Sequence, residues 1–363
     1  MEWKKIRSFD NKKVSLKQML IVGGIIVVIV IIHVLALDSC RDGSSTPPGT
    51  PSVTPPVTPP VTPVEPQNPP PEPLPPQTVP EKRAVIAGPV EPWDYSRQLR
   101  LPGSLAKRFQ QSKAHSGIII ELDSRRVLWS SNAKKSVPVA SMTKLMTALL
   151  IMEKIDTDPD FKWTTIVKMP DHAVKVEHPS GLKAGSYIPV GSLMQSMLLA
   201  SHNDSAIALA EKAANGSVMR FAARMNSRAR ALGLNSTNFK NANGLPEGKH
   251  RVNSFASAAD ICHICELLMK YERVMNICGS DVMRVLNIGK VYSTNRLINP
   301  KKGQPVPGMI GFKTGFTRAA GSCLAFGVER NGRTFIGCVT GFQSAKERDI
   351  FCRELIEWAY RQK

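Results

Sequence analysis

Hydrophobic and polar positions are arranged in three different ways along the chain. Residues 19–37 run nineteen positions without a formal charge, a length that spans a bilayer as one helix. Residues 38–92 follow with Pro, Thr, Val and Glu, including the period-four repeat TPPVTPPVTP at 54–63, and offer no periodicity that could bury a core. From Trp93 onward the pattern is that of a folded domain. Residues 117–122 (GIIIEL) and 126–130 (RVLWS) read as two short strands about the polar turn Asp123-Ser124-Arg125, which predicts a hairpin. Residues 141–155 carry strong helix formers with Leu145, Leu149 and Met152 at helical spacing, and 193–199 and 205–214 are two more helical stretches. Strands return at 322–329 and 334–340 around Asn331-Gly332, a strong short hairpin signal. Residues 345–360 then set Phe351, Leu355 and Trp358 on one helical face. Strands at both ends with helices between predict an α/β (α+β) domain in which distant segments build one antiparallel sheet covered by helices.

Composition sharpens the division. Sixteen of the 28 prolines fall between Pro47 and Pro80, which excludes a single uniform globule and predicts an extended polyproline II spacer of roughly 100 Å over its densest part. The expected organisation is a cytoplasmic tail at 1–18, a transmembrane signal-anchor at 19–37, a Pro-rich linker at 38–92 and a catalytic domain at 93–363. Residues 1–18 carry six Lys or Arg against Glu2 and Asp10, and Asp38 and Asp42 follow the apolar run, which orients the N-terminus inside and the domain outside. A cleaved signal peptide ending near Val34-Leu35-Ala36 and lipidation of Cys40 are the alternatives for this region. The 48 Lys and Arg against 29 Asp and Glu give a net charge of +19, which suits a polyanionic neighbour. With the domain outside the membrane, the wall and its anionic polymers satisfy that charge without nucleic acid.

Three short motifs carry the candidate chemistry. Ser-x-x-Lys occurs at Ser104-Lys107, Ser131-Lys134 and Ser141-Lys144, and only Ser141 opens a strongly apolar helix. There Lys144 lies one turn on, on the face of the serine hydroxyl, where an amine of lowered pKa can take its proton. The helix N-terminus adds backbone N–H groups and a partial positive charge where an oxyanion would develop. Ser-x-Asn recurs four times, but only Ser201-His202-Asn203 sits in a short break between two helical stretches, where both polar side chains can face a cleft. Lys313-Thr314-Gly315 occurs once, after the glycine-rich entry at 308–312, and is expected on a strand.

In this order the three elements resemble those of the penicillin-recognising serine D,D-peptidases, specifically the low-molecular-mass penicillin-binding proteins that act as D-alanyl-D-alanine carboxypeptidases. The resemblance extends over 116–361 and includes Pro138-Val139-Ala140, Leu198-Leu199-Ala200, Asn203-Asp204-Ser205-Ala206, FKNANGL at 239–245, Thr294-Asn295-Arg296-Leu297 and KTGFTRAAG at 313–321. It implies a β-lactamase/D,D-peptidase-like fold, with a five-stranded antiparallel sheet flanked by helices and a helical cluster beside it. It also implies that Ser141 attacks the carbonyl between two D-alanines of a peptidoglycan stem peptide, with Lys144 as general base, Ser201 relaying the proton and Asn203 holding Lys144 and the substrate. Lys313 and Thr314 would bind the terminal carboxylate, beside Gly315, and the backbone N–H groups of Ser141 and Phe316 would form the oxyanion hole. β-Lactams would block the site, and no metal or cofactor is required. The implied place is the bacterial cell membrane, single-pass, with the domain on the periplasmic or extracellular side.

Two features depart from the family pattern. His202 stands where these carboxypeptidases usually have glycine, and could narrow the cleft or add a titrating group. The chain ends just after the last helix, without the C-terminal domain and anchor of many relatives, and the N-terminal span is expected to replace that anchor. A D,D-endopeptidase acting on cross-links and a non-catalytic wall-binding protein are the alternative readings, while a β-lactamase would need a deacylating glutamate, and no Glu-x-x-Leu-Asn motif follows Ser201. Cys262-x-x-Cys265 with His263 lies in an apolar helix without a second pair at zinc spacing, so core packing is expected. The six cysteines of the domain are compatible with disulfides or with buried thiols.

Overall fold

The structure, a computed structural model, describes residues 88–362. The expected tail, anchor and most of the linker, together with Cys40, lie outside the described residues. Among the described residues no helix is long and apolar enough to cross a membrane.

Helix α1 (Gly103–Gln111) leads into strands β1 (Ser116–Glu121) and β2 (Arg126–Ser131), the expected first hairpin. A 3₁₀ turn at Ala140–Met142 then opens α2 (Thr143–Thr157). After a small two-stranded sheet, α3 (Val190–Gln195), α4 (Asn203–Ala213), α5 (Val218–Ala231), α6 (Ala258–Leu268) and α7 (Glu272–Cys278) form the helical region. The chain closes with β3 (Met309–Thr317), β4 (Gly321–Arg330), β5 (Arg333–Phe342) and α8 (Ala345–Tyr360). The main sheet has five antiparallel strands in the order β2-β1-β5-β4-β3, so the first and last parts of the chain meet at the β1–β5 ladder, where Ile118 faces Cys338.

Strand periodicity explains the layering. Successive side chains point to opposite faces, so Ile118 and Ile120 join one buried cluster with Met142, Leu145 and Leu149, whereas Ile119 joins another with Phe109, Phe351 and Leu355. Helices α2 and α6 therefore cover one face, and α1 and α8 the other. Helix α2 is buried on nearly every side from Thr143 to Met152, as a helix apolar all round must be. Its N-terminus consequently opens onto the end of β3, and the catalytic candidates sit there.

The cysteine expectation resolves to buried thiols. Cys262, Cys265, Cys278, Cys323, Cys338 and Cys352 are all buried and free. His263 stacks on Trp93 at 4.2 Å rather than joining a ligand set, and the described residues contain no group of three or more His, Cys, Asp or Glu suited to a metal.

Candidate active site

Each motif is brought to the cavity by a different local device. Ala140 adopts a left-handed φ of 47° just before Ser141, so the chain turns sharply into the 3₁₀ segment and Ser141 faces outward at the start of α2. Lys144, one turn on, points the same way but is completely buried. Its Nζ lies 3.0 Å from Ser141 Oγ, 2.6 Å from Asn203 Oδ1 and 2.6 Å from the Asn243 carbonyl oxygen.

That cage decides the state of the amine. An ammonium has three protons for three acceptors; a neutral amine has two N–H donors for Asn203 and Asn243 and a lone pair directed at the serine O–H. Burial, reinforced by the neighbouring Lys313 cation and opposed by Asp204, holds Lys144 well below the usual lysine range. The arrangement therefore favours the second form, in which the serine hydroxyl donates to nitrogen.

The second motif depends on how α3 ends. The expected helix at 193–199 is present as α3 continued by a π turn at Ser196–Ala200, and the left-handed Ser201 (φ 67°, ψ 24°) terminates it. Asn203 then begins α4. Its backbone N–H donates to the His178 carbonyl at 3.1 Å and its Nδ2 to the Glu177 carbonyl at 2.6 Å, which leaves Oδ1 for Lys144. Asp204, next in the chain, accepts from the Ser180 N–H at 2.9 Å and the Ser180 hydroxyl at 2.6 Å, fastening the 177–180 loop to α4.

His202 neither narrows the cleft nor titrates near neutrality. Its Nδ1 meets Ser196 Oγ at 2.8 Å, the cavity is lined by His178 instead, and burial followed by the proximity of His178 pushes its pKa down to about 4.

The third motif lies on β3 as expected. Lys313 is 1% exposed and sits beneath the cavity floor, with Nζ donating to the Thr314 carbonyl at 3.1 Å. Burial lowers its pKa to about 7, with Cys278 opposing and Arg348 adding to the shift. Thr314 Oγ1 is 2.7 Å from Thr294 Oγ1. Gly315 is required by close approach: a Cβ there would stand 2.9 Å from the Val139 carbonyl oxygen and 3.3 Å from Ser141 N. Strand β3 thus runs directly against the backbone of the nucleophile candidate, and Phe316, 65% exposed, stands at the rim.

Together Ser141, Ser201, Asn203, Thr314, Gly315 and Phe316 line one cavity of about 570 Å³, with Lys144 and Lys313 in its wall and floor. Several contributors escaped the sequence reading. The Asn243 carbonyl comes from the FKNANGL segment, whose only signal was its place in the resemblance. Arg296 and Arg348 line the far part of the cavity; Arg348 donates to the Cys323 carbonyl at 3.0 Å and to Asp349, which also pairs with Arg296 at 3.0 Å. Lys313, Arg296 and Arg348, three cations around one cleft, favour an anionic ligand group.

Comparison with known proteins identifies the family. The chain is 33% identical over 261 residues to the D-alanyl-D-alanine carboxypeptidase DacF of Bacillus subtilis, covering 69% of this chain and 63% of that relative. It is 30% identical over 258 residues to DacA of Escherichia coli K12, covering 69% and 62%; the chain thus spans less than two thirds of either relative's length. Among solved structures, penicillin-binding protein D2 from Listeria monocytogenes in its ampicillin-bound form superposes with a TM-score of 0.60 at 26% identity, covering 68% of this chain and 97% of that one. The model of the family described as D-alanyl-D-alanine carboxypeptidase matches residues 104–344, and the chain belongs to that family.

Proposed function

We propose that the protein is a serine-type D-Ala-D-Ala carboxypeptidase that removes the terminal D-alanine from peptidoglycan stem peptides and is acylated by β-lactams. The observation that carries this reading is a fully buried amine 3.0 Å from a serine hydroxyl that opens onto a cationic cavity. Ser141 Oγ attacks the carbonyl carbon of the D-Ala-D-Ala bond while its proton passes to Lys144 Nζ. The C–N bond breaks as that proton reaches the departing amine through the Ser201 hydroxyl, leaving an ester on Ser141 and free D-alanine. Water then hydrolyses the ester by the reverse proton path. Asn203 holds Lys144, Lys313 and Thr314 supply the charge and hydroxyl for the substrate carboxylate, and the Ser141 and Phe316 N–H groups receive the oxyanion.

The uncharged run at 19–37 supports a further part of the proposal. It anchors the chain in the bacterial cell membrane, and the Pro-rich linker carries the domain out to the wall. The decisive experiment incubates purified protein with a free pentapeptide, with a cross-linked dimer and with labelled penicillin. D-Alanine released from the pentapeptide and a label retained on the wild type, both abolished in Ser141→Ala, are the expected results. Preferential cleavage of the dimer would make it an endopeptidase, and retained turnover in Ser141→Ala would overturn the mechanism.

A further inference from the structure

Between Val282 and Val328 the chain has no Asp or Glu and seven Lys or Arg. Two of these, Lys313 and Arg296, belong to the cavity described above. Four others gather on one surface. Strands Val282–Val285 and Gly289–Tyr292 pair antiparallel with Arg284 directly opposite Lys290 and Val282 opposite Tyr292, so period two places Arg284, Lys290 and Tyr292 on one face. Like charges directly opposed across a ladder destabilise it. Lys301 comes to the same ring from the following turn: its Nζ is 5.1 Å, and that of Lys290 5.6 Å, from the Tyr292 centroid. Lys302 donates to the Ser293 carbonyl at 3.1 Å.

All four cations are exposed, and among the described residues none has a carboxylate partner. Some arginines elsewhere in the domain do pair with a carboxylate, as in Arg108 with Glu354, Arg228 with Glu153 and Arg333 with Glu121. The unpaired group adjoins the cleft. Thr294, two residues beyond Tyr292, lines the cavity and meets Thr314.

Like charges held on one face without a counter-charge raise the free energy of the fold until an anion neutralises them. The group is mostly lysine, whose ammonium is a point charge rather than a planar fork, and it is spread over an open surface. It therefore responds to charge density along a flexible chain more than to one carboxylate in a fixed pose. We infer that Arg284, Lys290, Lys301 and Lys302 around Tyr292 form a docking surface for a phosphodiester polymer beside the catalytic cleft, so that the enzyme is held where wall polyanions lie close to its substrate. This goes beyond the carboxypeptidase reading; the binding of polyanion stands apart from it, while the benefit of being held near substrate rests on it.

The test measures binding of the full chain in detergent to labelled poly(glycerol phosphate), comparing wild type, Lys290→Glu/Lys301→Glu and the control Lys107→Glu/Lys113→Glu of equal net charge on α1 and the turn that follows it. Wild-type binding that weakens with added salt, a loss of about tenfold or more in the first variant and near-wild-type affinity in the control are expected. Acylation by penicillin, followed in the same samples, should be unchanged in all three, which separates this result from failure of the catalytic reading. Equal losses in both variants would make the effect one of overall charge and overturn the inference. So would absence of wild-type binding, or equally tight, Lys290- and Lys301-dependent binding to phosphate-free peptidoglycan. Should the charge reversal fail to fold, Lys290→Gln/Lys301→Gln reads the same loss.

Discussion

Gly244→Ala probes the backbone acceptor that the sequence could not reveal. Gly244 has a φ of +81°, and an added Cβ would stand 2.0 Å from the Ala140 carbonyl oxygen, 2.5 Å from its carbon and 2.9 Å from Thr143 Oγ1. Two costs follow. The left-handed backbone alone costs an L-residue about 1–2 kcal/mol, or roughly 2–8 °C in melting temperature for a domain of this size. The contact with Ala140 is the larger effect, because both sides are constrained. The loop is tied internally by Gly244 N–H to Asn241 Oδ1 at 2.7 Å, Asn241 Nδ2 to the Leu245 carbonyl at 2.9 Å and Leu245 N–H to Asn243 Oδ1 at 2.8 Å. Ala140 itself sits at positive φ immediately before Ser141. Opening the contact to an ordinary separation requires about 1 Å of movement, shared between the Asn243 carbonyl that holds Lys144 and the backbone that carries Ser141. A displacement of that size between reacting groups costs on the order of 100-fold in rate. Gly248→Ala supplies the control: its φ is +68°, yet nothing lies within 4 Å of the added Cβ. Thermal melts should fall in both variants, while the rate of acylation by a fluorescent penicillin should fall only in Gly244→Ala. Wild-type acylation of a folded Gly244→Ala would show that the Asn243 contact does not position Lys144, and would refute the cage.

The pH profile of acylation follows from two buried amines of opposite requirement. Lys144 acts neutral and is held well below its usual range, so the rate should fall on the acid side as it takes up a proton; Lys313 acts charged and titrates at about 7, so the rate should also fall as pH rises through that value. Lys313→Arg, which stays protonated, should lose the alkaline limb, and an unchanged limb in a folded variant would exclude Lys313 as its source. Asn203→Asp places a carboxylate 2.6 Å from Lys144 Nζ, which favours the ammonium and should move the acid limb to higher pH; measured acylation should drop at neutrality and recover in alkaline buffer.

How much of this was legible in the sequence depends on whether the signal was local. The β4–β5 hairpin and α8 are readable because their registers are written in alternation, an Asn-Gly turn and a helical stripe, all within forty residues. The three motifs were readable as residue types in order, and the fold brings all of them to one cavity. What they do there was less readable. The motif alone places Lys313 on a strand and only the resemblance gives it a part in carboxylate binding; the structure buries it beneath the cavity floor, with Nζ donating to the Thr314 carbonyl. The π turn before Ser201 has no sequence mark, since a widened helical turn arises from how α3 packs and not from its residues. Nor can any side-chain code announce the Asn243 carbonyl, because every residue has one. These omissions share a cause. A lysine becomes a base only when two acceptors, from α4 and a loop 99 residues away, and a serine hydroxyl from the turn before α2 close around it and exclude water. The sequence specifies the amine, and the packing of the whole helical region specifies its protonation state. Substitutions far from Ser141 that loosen α4 or the 239–245 loop should therefore act on rate through Lys144 before they act on binding.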